Sequence, residues 1–226
     1  LRLRRSARPA ALALCVLSAL LAPTATAHAT PAAPGDTVTL PVRNALQALA
    51  IQDESRAGYE RSKFRHWTDA DRDGCNARLE VLKSEAVTAP EQGANCLLTG
   101  GRWYSWYDDT YVDNARQLDV DHLVPLAEAW DSGASGWSAK EREGFANDLD
   151  DPRALIAVSA GSNRSKSDQD PSTWVPPFEA YRCRYVTDWV ADKTRYRLAV
   201  DPSEEAALSE ILSRCPSEPI TVTFAR

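Results

Sequence analysis

The chain has 226 residues, enough for one domain of ordinary size, or one with a small attachment. Hydrophobic residues make up 43%, which excludes wholesale disorder. A formal charge of -6 excludes a protein that coats nucleic acid through a broad basic surface. Three histidines leave little room for a poly-histidine metal site.

In chain order, Arg2, Arg4, Arg5 and Arg8 precede an apolar run from Ala10 to Ala22, and Ala25, Ala27 and Ala29 follow. This is the pattern of a secretory signal peptide over residues 1–29, with cleavage expected after Ala27 or Ala29. The apolar run is too short to span a bilayer comfortably. The expected product is a secreted, extracellular protein with no stable membrane association. Cleavage removes four arginines and no acid, so the charge falls to about -10. It leaves Cys75, Cys96, Cys183 and Cys215, an even set that reads as two disulfides in an exported chain. Of the three pairings, Cys75–Cys96 with Cys183–Cys215 is expected, because each pair brackets a compact segment. No C-x-x-C pair speaks for zinc.

Residues 30–40, rich in Pro, Ala and Thr, read as a flexible lead-in to a single domain over 41–226. A helix is expected from Pro41, with Val42, Ala45, Leu46 and Leu49 at helical spacing. It continues or restarts through Tyr59 and Phe64 to Trp67. Leu79–Val87 reads as helix, Gly100–Gly101 as a turn. Arg102–Tyr107 and Thr110–Val112 read as a hairpin around Asp108–Asp109. Gln117–Val124 alternates like a strand with one apolar face. Ser138 and Glu141 form a capping-box pattern, followed by Phe145 and Leu149. Ala154–Val158 is a second short strand, and a polar segment, Ser159–Asp170, follows it. The C-terminal part reads as a helical hairpin. One helix starts near Pro177 and carries Tyr181, Val186, Trp189 and Val190. The other starts at Asp201–Pro202 and carries Leu208, Ile211 and Leu212.

The densest polar chemistry lies in Asp119-Val120-Asp121-His122-Leu123-Val124-Pro125 and in Ser162-Asn163-Arg164-Ser165-Lys166-Ser167-Asp168. Phosphodiester hydrolysis needs a group that deprotonates water near neutral pH, and imidazole titrates closest to that range. It also needs a divalent cation to offset charge on phosphate and leaving oxygen. Such cations want oxygen ligands. His122 supplies the base, Asp121 a carboxylate and Asn163 a carbonyl oxygen. Arg164 and Lys166 are candidates to hold flanking phosphates of the substrate. Adjacent strand residues face opposite sides, so Asp121 and His122 share a site only if the strand ends or twists there. Pro125 is consistent with that. An Asp–His pair alone is commonly structural, and Asn-Arg-Ser-Lys alone reads as helix capping. Both segments in strand–strand order carry the reading.

These residues resemble the HNH, or ββα-metal (His-Me finger), endonucleases. "DVDHLVP", the strand "LIAVS" and "NRSKSD" resemble the HNH domain of RNA-guided CRISPR effectors. The wider pattern includes "DADRDGCNARLEVL", "DVDHLVPLAEAWDSGA", "FANDL" and "LIAVSAGSNRSKSDQDPSTWVPP". It resembles secreted bacterial HNH proteins related to the C-terminal domain of GmrSD-type restriction endonucleases, over nearly all of residues 60–215. The resemblance implies an α+β fold: a ββα-metal core with flanking helices and a C-terminal disulfide-tied helical hairpin. It implies an HNH-family endonuclease, with His122 as general base and Asp121 and Asn163 holding one divalent cation, Mg²⁺ or Mn²⁺. Asn147 corresponds to the middle Asn that helps orient the base. The implied substrate is nucleic acid, DNA with little sequence specificity, cut to leave 5′-phosphates. The enzyme is expected to act as a monomer. No His follows Asn163, so the last H of the motif is absent.

Asp69-Ala70-Asp71-Arg72-Asp73-Gly74, continued to Glu80, matches the EF-hand loop template. Asp69, Asp71, Asp73, the Cys75 carbonyl and Glu80 are its candidate ligands for a structural Ca²⁺. An acidic turn whose Asp side chains bond local backbone would read the same way. Trp103, Tyr104, Trp106 and Tyr107 suit base stacking or, more simply, a hairpin core. His66 reads as structural. Two other functions fit the sequence: a calcium-stabilised extracellular interaction module on a silent HNH scaffold, and a hydrolase of another extracellular phosphodiester.

Overall fold

The computed structural model describes residues 32–226; the expected signal peptide lies outside the described residues. The elements run β1 (Thr37–Pro41), α1 (Val42–Ala48), α2 (Ala77–Ser84), β2 (Glu91–Gln92), β3 (Leu98–Thr99), β4 (Trp103–Ser105), β5 (Thr110–Val112) and β6 (Leu118–His122). They continue with α3 (Leu126–Asp131), α4 (Ala139–Ala146), β7 (Leu155–Ser159), α5 (Ala160–Lys166), α6 (Glu179–Tyr196), α7 (Pro202–Ser213) and β8 (Pro219–Thr223). The strands form four antiparallel pairs: β1–β8, β2–β3, β4–β5 and β6–β7. The fold is α+β, and β6, β7 and α5 form its ββα unit.

The β6–β7 ribbon separates two cores. Its register pairs Leu118 with Ser159, Val120 with Ala157 and His122 with Leu155; Asp119 pairs with Val158 and Asp121 with Ile156. Paired residues share a face and successive residues alternate. Leu118, Val120, Leu155 and Ala157 therefore pack on Val81 and Leu82 of α2 and on Trp103 and Val112 of the β4–β5 hairpin. Ile156 and Val158 join the larger core, with α1, α3, α4, α6 and α7. Asp121 and His122 are delivered to opposite faces, as strand geometry requires.

Several boundaries follow from visible sequence signals. The Ser138–Glu141 capping box starts α4. The Asp201 side chain caps α7, with Pro202 at its first position. Gly100 and Gly101 take φ 64° and 84° ahead of β4, and a Cβ on Gly101 would meet the Trp103 ring at 2.6 Å. Disulfides join Cys75 to Cys96 and Cys183 to Cys215. The second ties α6 to Cys215, two residues past the end of α7.

Other expectations need correction. The lead-in expected over 30–40 is ordered from Thr37 as β1, because β8 offers a partner that composition does not reveal. No helix runs on to Trp67; only a 3₁₀ turn, Arg61–Lys63, forms there. The polar segment after β7 is helical: Ser159 caps it by accepting from Ser162 N–H. Leu149 lies past the end of α4 and is exposed.

The helical pair is held by a buried ammonium. Lys193 on α6 donates to Glu128 Oε1 (2.7 Å), Glu204 Oε2 (2.5 Å), Ser132 Oγ (3.0 Å) and the Ala199 carbonyl (2.8 Å). It thus joins α3, α6 and the first turn of α7. Arg195, on the same helix, bonds Asp148 and the Thr223 carbonyl, which attaches β8.

The outer edge of β7 is satisfied by a side chain: Ala157 N–H donates to Glu85 at 2.8 Å. Burial pushes Glu85 up to about 7, against the pull of that bond. Between about pH 4.5 and 7 the folded chain keeps a proton here that the unfolded chain has released. The stability from this group is full below pH 4.5 and is lost as pH rises through 7. Glu85→Gln retains an acceptor and has no charge to bury. Urea denaturation should find it more stable than the parent at pH 8, by on the order of 1–3 kcal/mol, with the gap closing at pH 4.5.

Candidate active site

The ββα unit and two loops surround a cavity of about 300 Å³. It is lined by Arg61, Asp121, His122, Asn163, Arg164 and Asp168, among others. His122 is the last residue of β6, which lets its ring turn into the cavity from the face opposite Asp121. Pro125 then starts α3.

His122 is 5% exposed. Its Nε2 lies 2.9 Å from the Ala146 carbonyl. A carbonyl only accepts, so Nε2 carries the proton and Nδ1 is left with the lone pair. Burial pushes the imidazole down to about 3, so the ring stays neutral at physiological pH. Trp67 stacks on it at 5.0 Å, and His66 meets it edge-on at 6.3 Å.

Trp67 holds a positive φ of 59°. Such a conformation costs about 1–3 kcal/mol in a non-glycine residue and persists only when its surroundings hold it. Asn147 supplies the hold. Its Nδ2 donates to the Arg65 carbonyl (2.7 Å) and its Oδ1 accepts from Thr68 N–H (2.8 Å), bracketing His66 and Trp67. Nδ2 also bonds the Glu143 carbonyl on α4. Asn147, expected to help orient the base, thus reaches His122 at one remove, through Trp67. Its amide is spent on backbone, and the group that touches the imidazole is the carbonyl of the preceding residue, Ala146.

On the other face, Asp121 is 6% exposed. Lys166 Nζ lies 2.8 Å from its Oδ2 and 3.0 Å from Oδ1, and Tyr107 donates to Oδ2 at 2.7 Å. Lys166 also donates to the His122 carbonyl at 3.0 Å. Burial pushes Asp121 up and Lys166 down, each restrained by the other. Lys166 is wholly buried, so its expected role in holding substrate phosphate is corrected: its ammonium is the counter-ion of Asp121. The reason is helical spacing. Asn163 and Lys166, three apart on α5, both point toward β6.

Asn163 Nδ2 donates to Asp119 at 3.2 Å, which leaves Oδ1 without a partner among the described residues. Arg164 is exposed, 3.7 Å from Asp119. Asp121 and Asn163 line the cavity with oxygen, and Asp119 sits beside Asn163, while both Asp121 oxygens are engaged by Lys166 and Tyr107. Carboxylate and amide oxygens are the donors a hard divalent ion takes, and at Asp121 an ion would have to share them with Lys166 and Tyr107. Arg61 and Arg164 supply positive charge at the cavity wall. The contributions of Asp119, Arg61, Trp67 and His66 are not among the sequence expectations. Asp119 had a visible signal, the D-x-D-H spacing; the others come from a loop with no spacing relation to β6.

The acidic loop lies apart from this cavity's lining. Carboxylate oxygens of Asp69, Asp71 and Asp73 lie within 4.8 Å of one another. Asp69 accepts from Gly74 N–H, Asp71 from Asp73 N–H and Asp73 from Cys75 N–H. Glu80 bonds Lys83 at 2.9 Å, and Lys83 lies 4.0 Å from Asp73. Cys75 is in a disulfide. The aromatic run splits by alternation: Trp103 and Tyr107 are buried, whereas Trp106 is 48% exposed.

Residues 78–211 match the family model of the C-terminal domain of GmrSD restriction endonucleases. An uncharacterized secreted protein of Arthroderma benhamiae is 37% identical over 203 residues, spanning 89% of this chain and 98% of that protein. No solved structure matches significantly. The chain belongs to the GmrSD C-terminal-domain family. That relative is fungal, so the expectation of a specifically bacterial group is not borne out.

Lys166→Met would leave Asp121 buried without its counter-charge. Urea denaturation should show a loss of about 3–5 kcal/mol. The double change Asp121→Leu with Lys166→Met should recover most of it.

Proposed function

We propose that the chain is an exported, metal-dependent endonuclease that hydrolyses phosphodiester bonds of nucleic acid. The observation that carries this reading is the meeting, at one cavity, of a neutral imidazole of defined tautomer with the Asp121 carboxylate and the Asn163 amide. DNA, cut with little sequence specificity and left with 5′-phosphates, is the proposed substrate, and a monomer the proposed working form. Export is supported by the relative's name as a secreted protein. No helix among the described residues is long and apolar enough to cross a membrane.

His122 accepts the proton of the attacking water at Nδ1, while the Ala146 carbonyl keeps the ring from turning. General-base action of this kind contributes about 10²–10⁴ in rate. Asp121 and Asn163, with Asp119 beside them, would hold one Mg²⁺ or Mn²⁺, which when bound offsets charge on the phosphate and the leaving oxygen. Arg61 and Arg164 bind flanking phosphates. Purified protein should nick supercoiled plasmid with Mg²⁺ or Mn²⁺, and EDTA should stop it. His122→Ala should lower the rate at least a hundredfold; full activity in that variant would remove His122 as the base. RNA and a small chromogenic diester, run beside the plasmid, separate DNA from other phosphodiesters.

A calcium-stabilised module is the second reading, supported by the convergence of Asp69, Asp71 and Asp73. On this reading Ca²⁺ binds the Asp69–Glu80 loop. Differential scanning fluorimetry should then show a Ca²⁺-dependent rise in Tm that Asp71→Asn reduces. No reduction would return the loop to an acidic turn.

A further inference from the structure

We propose that His66 is the acid of the reaction, donating a proton from Nε2 to the 3′ oxygen that leaves, while His122 takes one from the attacking water. The inference rests on the endonuclease reading and adds a second catalytic imidazole to it.

The leaving oxygen ends as a hydroxyl, so it must collect a proton. Around His122 the free donors are few. Lys166 is committed to Asp121 and to the His122 carbonyl, and Tyr107 to Asp121. Arg61 and Arg164 release no proton, because a guanidinium stays charged. His66 is differently placed. Its ring meets the His122 ring edge-on, with centroids 6.3 Å apart. The His122 ring lines the cavity, as does Arg61 of the loop that carries His66. His66 Nδ1 lies 3.0 Å from the Phe64 carbonyl, which only accepts, so Nδ1 carries a proton. Nε2 has no partner among the described residues, and is the nitrogen free to gain and give one. Imidazole is the side chain suited to do so near neutral pH.

The ring is held in place. Phe64, whose carbonyl it bonds, is wholly buried, and its side chain packs edge-on to Trp130 and Phe145. The Trp67 ring lies against both imidazoles, 5.5 Å from His66 and 5.0 Å from His122. Asn147 bonds the Arg65 carbonyl and Thr68 N–H, so one amide fixes the backbone on both sides of His66 and Trp67. A merely solvated histidine needs none of these constraints.

Environment separates the two roles. Burial above all, and then the charges of Arg61 and His66, keep His122 without a proton. His66 is half-buried and can exchange protons with water. Two groups whose surroundings drive their protonation apart are the pair that supplies a base and an acid. In an in-line displacement the attacking and leaving oxygens lie on opposite sides of phosphorus. Each is then one hydrogen bond, about 2.6–3.2 Å, from its imidazole. Rings with centroids 6.3 Å apart are close enough to flank one diester. An O–H bond of water breaks, and its proton passes to His122 Nδ1. The P–O3′ bond breaks with its electron pair on oxygen, which takes the His66 proton. One water and one diester become a 5′-phosphate and a 3′-hydroxyl, and solvent returns a proton from His122 to His66.

The test uses two DNA oligonucleotides that differ at one linkage. One has an ordinary phosphodiester; the other has a 3′-S-phosphorothiolate, in which sulfur replaces the leaving oxygen. Sulfur departs as a thiolate and needs no acid. Both are assayed in Mn²⁺. His66→Asn keeps an N–H for the Phe64 carbonyl and removes the acid. It should cut the ordinary linkage about a hundredfold or more slower, with KM little changed. It should cut the phosphorothiolate within about fivefold of the parent's rate, which also shows that the variant is folded. His122→Ala should be slow on both. The proposal is overturned if His66→Asn cuts the ordinary linkage at the parent's rate, or if it loses as much on sulfur as on oxygen. A parent that cuts neither linkage overturns the endonuclease reading and this one with it; either of the first two outcomes, with an active parent, overturns this one alone.

Discussion

A carboxylate sealed inside a two-stranded ribbon requires a counter-charge, and the arrangement of this site follows from how Asp121 obtains one. Lys166 reaches it from the helix that follows β7, and Tyr107 reaches it from the β4–β5 hairpin. These two contacts set α5 and the hairpin against the same face of β6. Once Lys166 is drawn inward, Asn163 one turn earlier must face Asp119, and Arg164 must face solvent. The ion pair thus acts less as a source of net stability than as a register pin, which is the better-attested use of buried charge.

His122 obeys a different constraint. Strand alternation sends it to the smaller core, where burial strips its proton and a helix-end carbonyl chooses its tautomer. Asn147 serves this arrangement at one remove, by holding the strained Trp67 against the imidazole. One ribbon therefore presents an ionised face and a neutral basic edge to a single cavity.

Much of this was legible in the chain. The two strands read from their alternation, and Asp121, His122 and Asn163 from their strand–strand order. Both disulfides read from the compactness of the segments they bracket. The capping box at Ser138 and the Asp201–Pro202 start marked helices, because their signals are local. What was not legible depended on distant partners. Nothing adjacent to Lys166 distinguishes a buried lysine from a solvated one, because the distinction rests on Asp121, 45 residues away. Thr37–Pro41 and Pro219–Thr223 each alternate apolar and polar residues, yet each is too short to declare itself a strand without the other. Trp67 and His66 belong to the site only because Asn147 places them there.

The pairing of β1 with β8 has a consequence for the order in which the molecule becomes whole. A polypeptide emerging N-terminus first, from a ribosome or through a narrow pore, exposes Thr37–Pro41 long before it delivers Pro219–Thr223. Until then β1 has no ladder partner, and Arg195 has no Thr223 carbonyl to bind. Contacts of such sequence separation are also the slowest to form. The β1–β8 ribbon and the Arg195 contact therefore complete the fold only after residues 219–223 have been delivered.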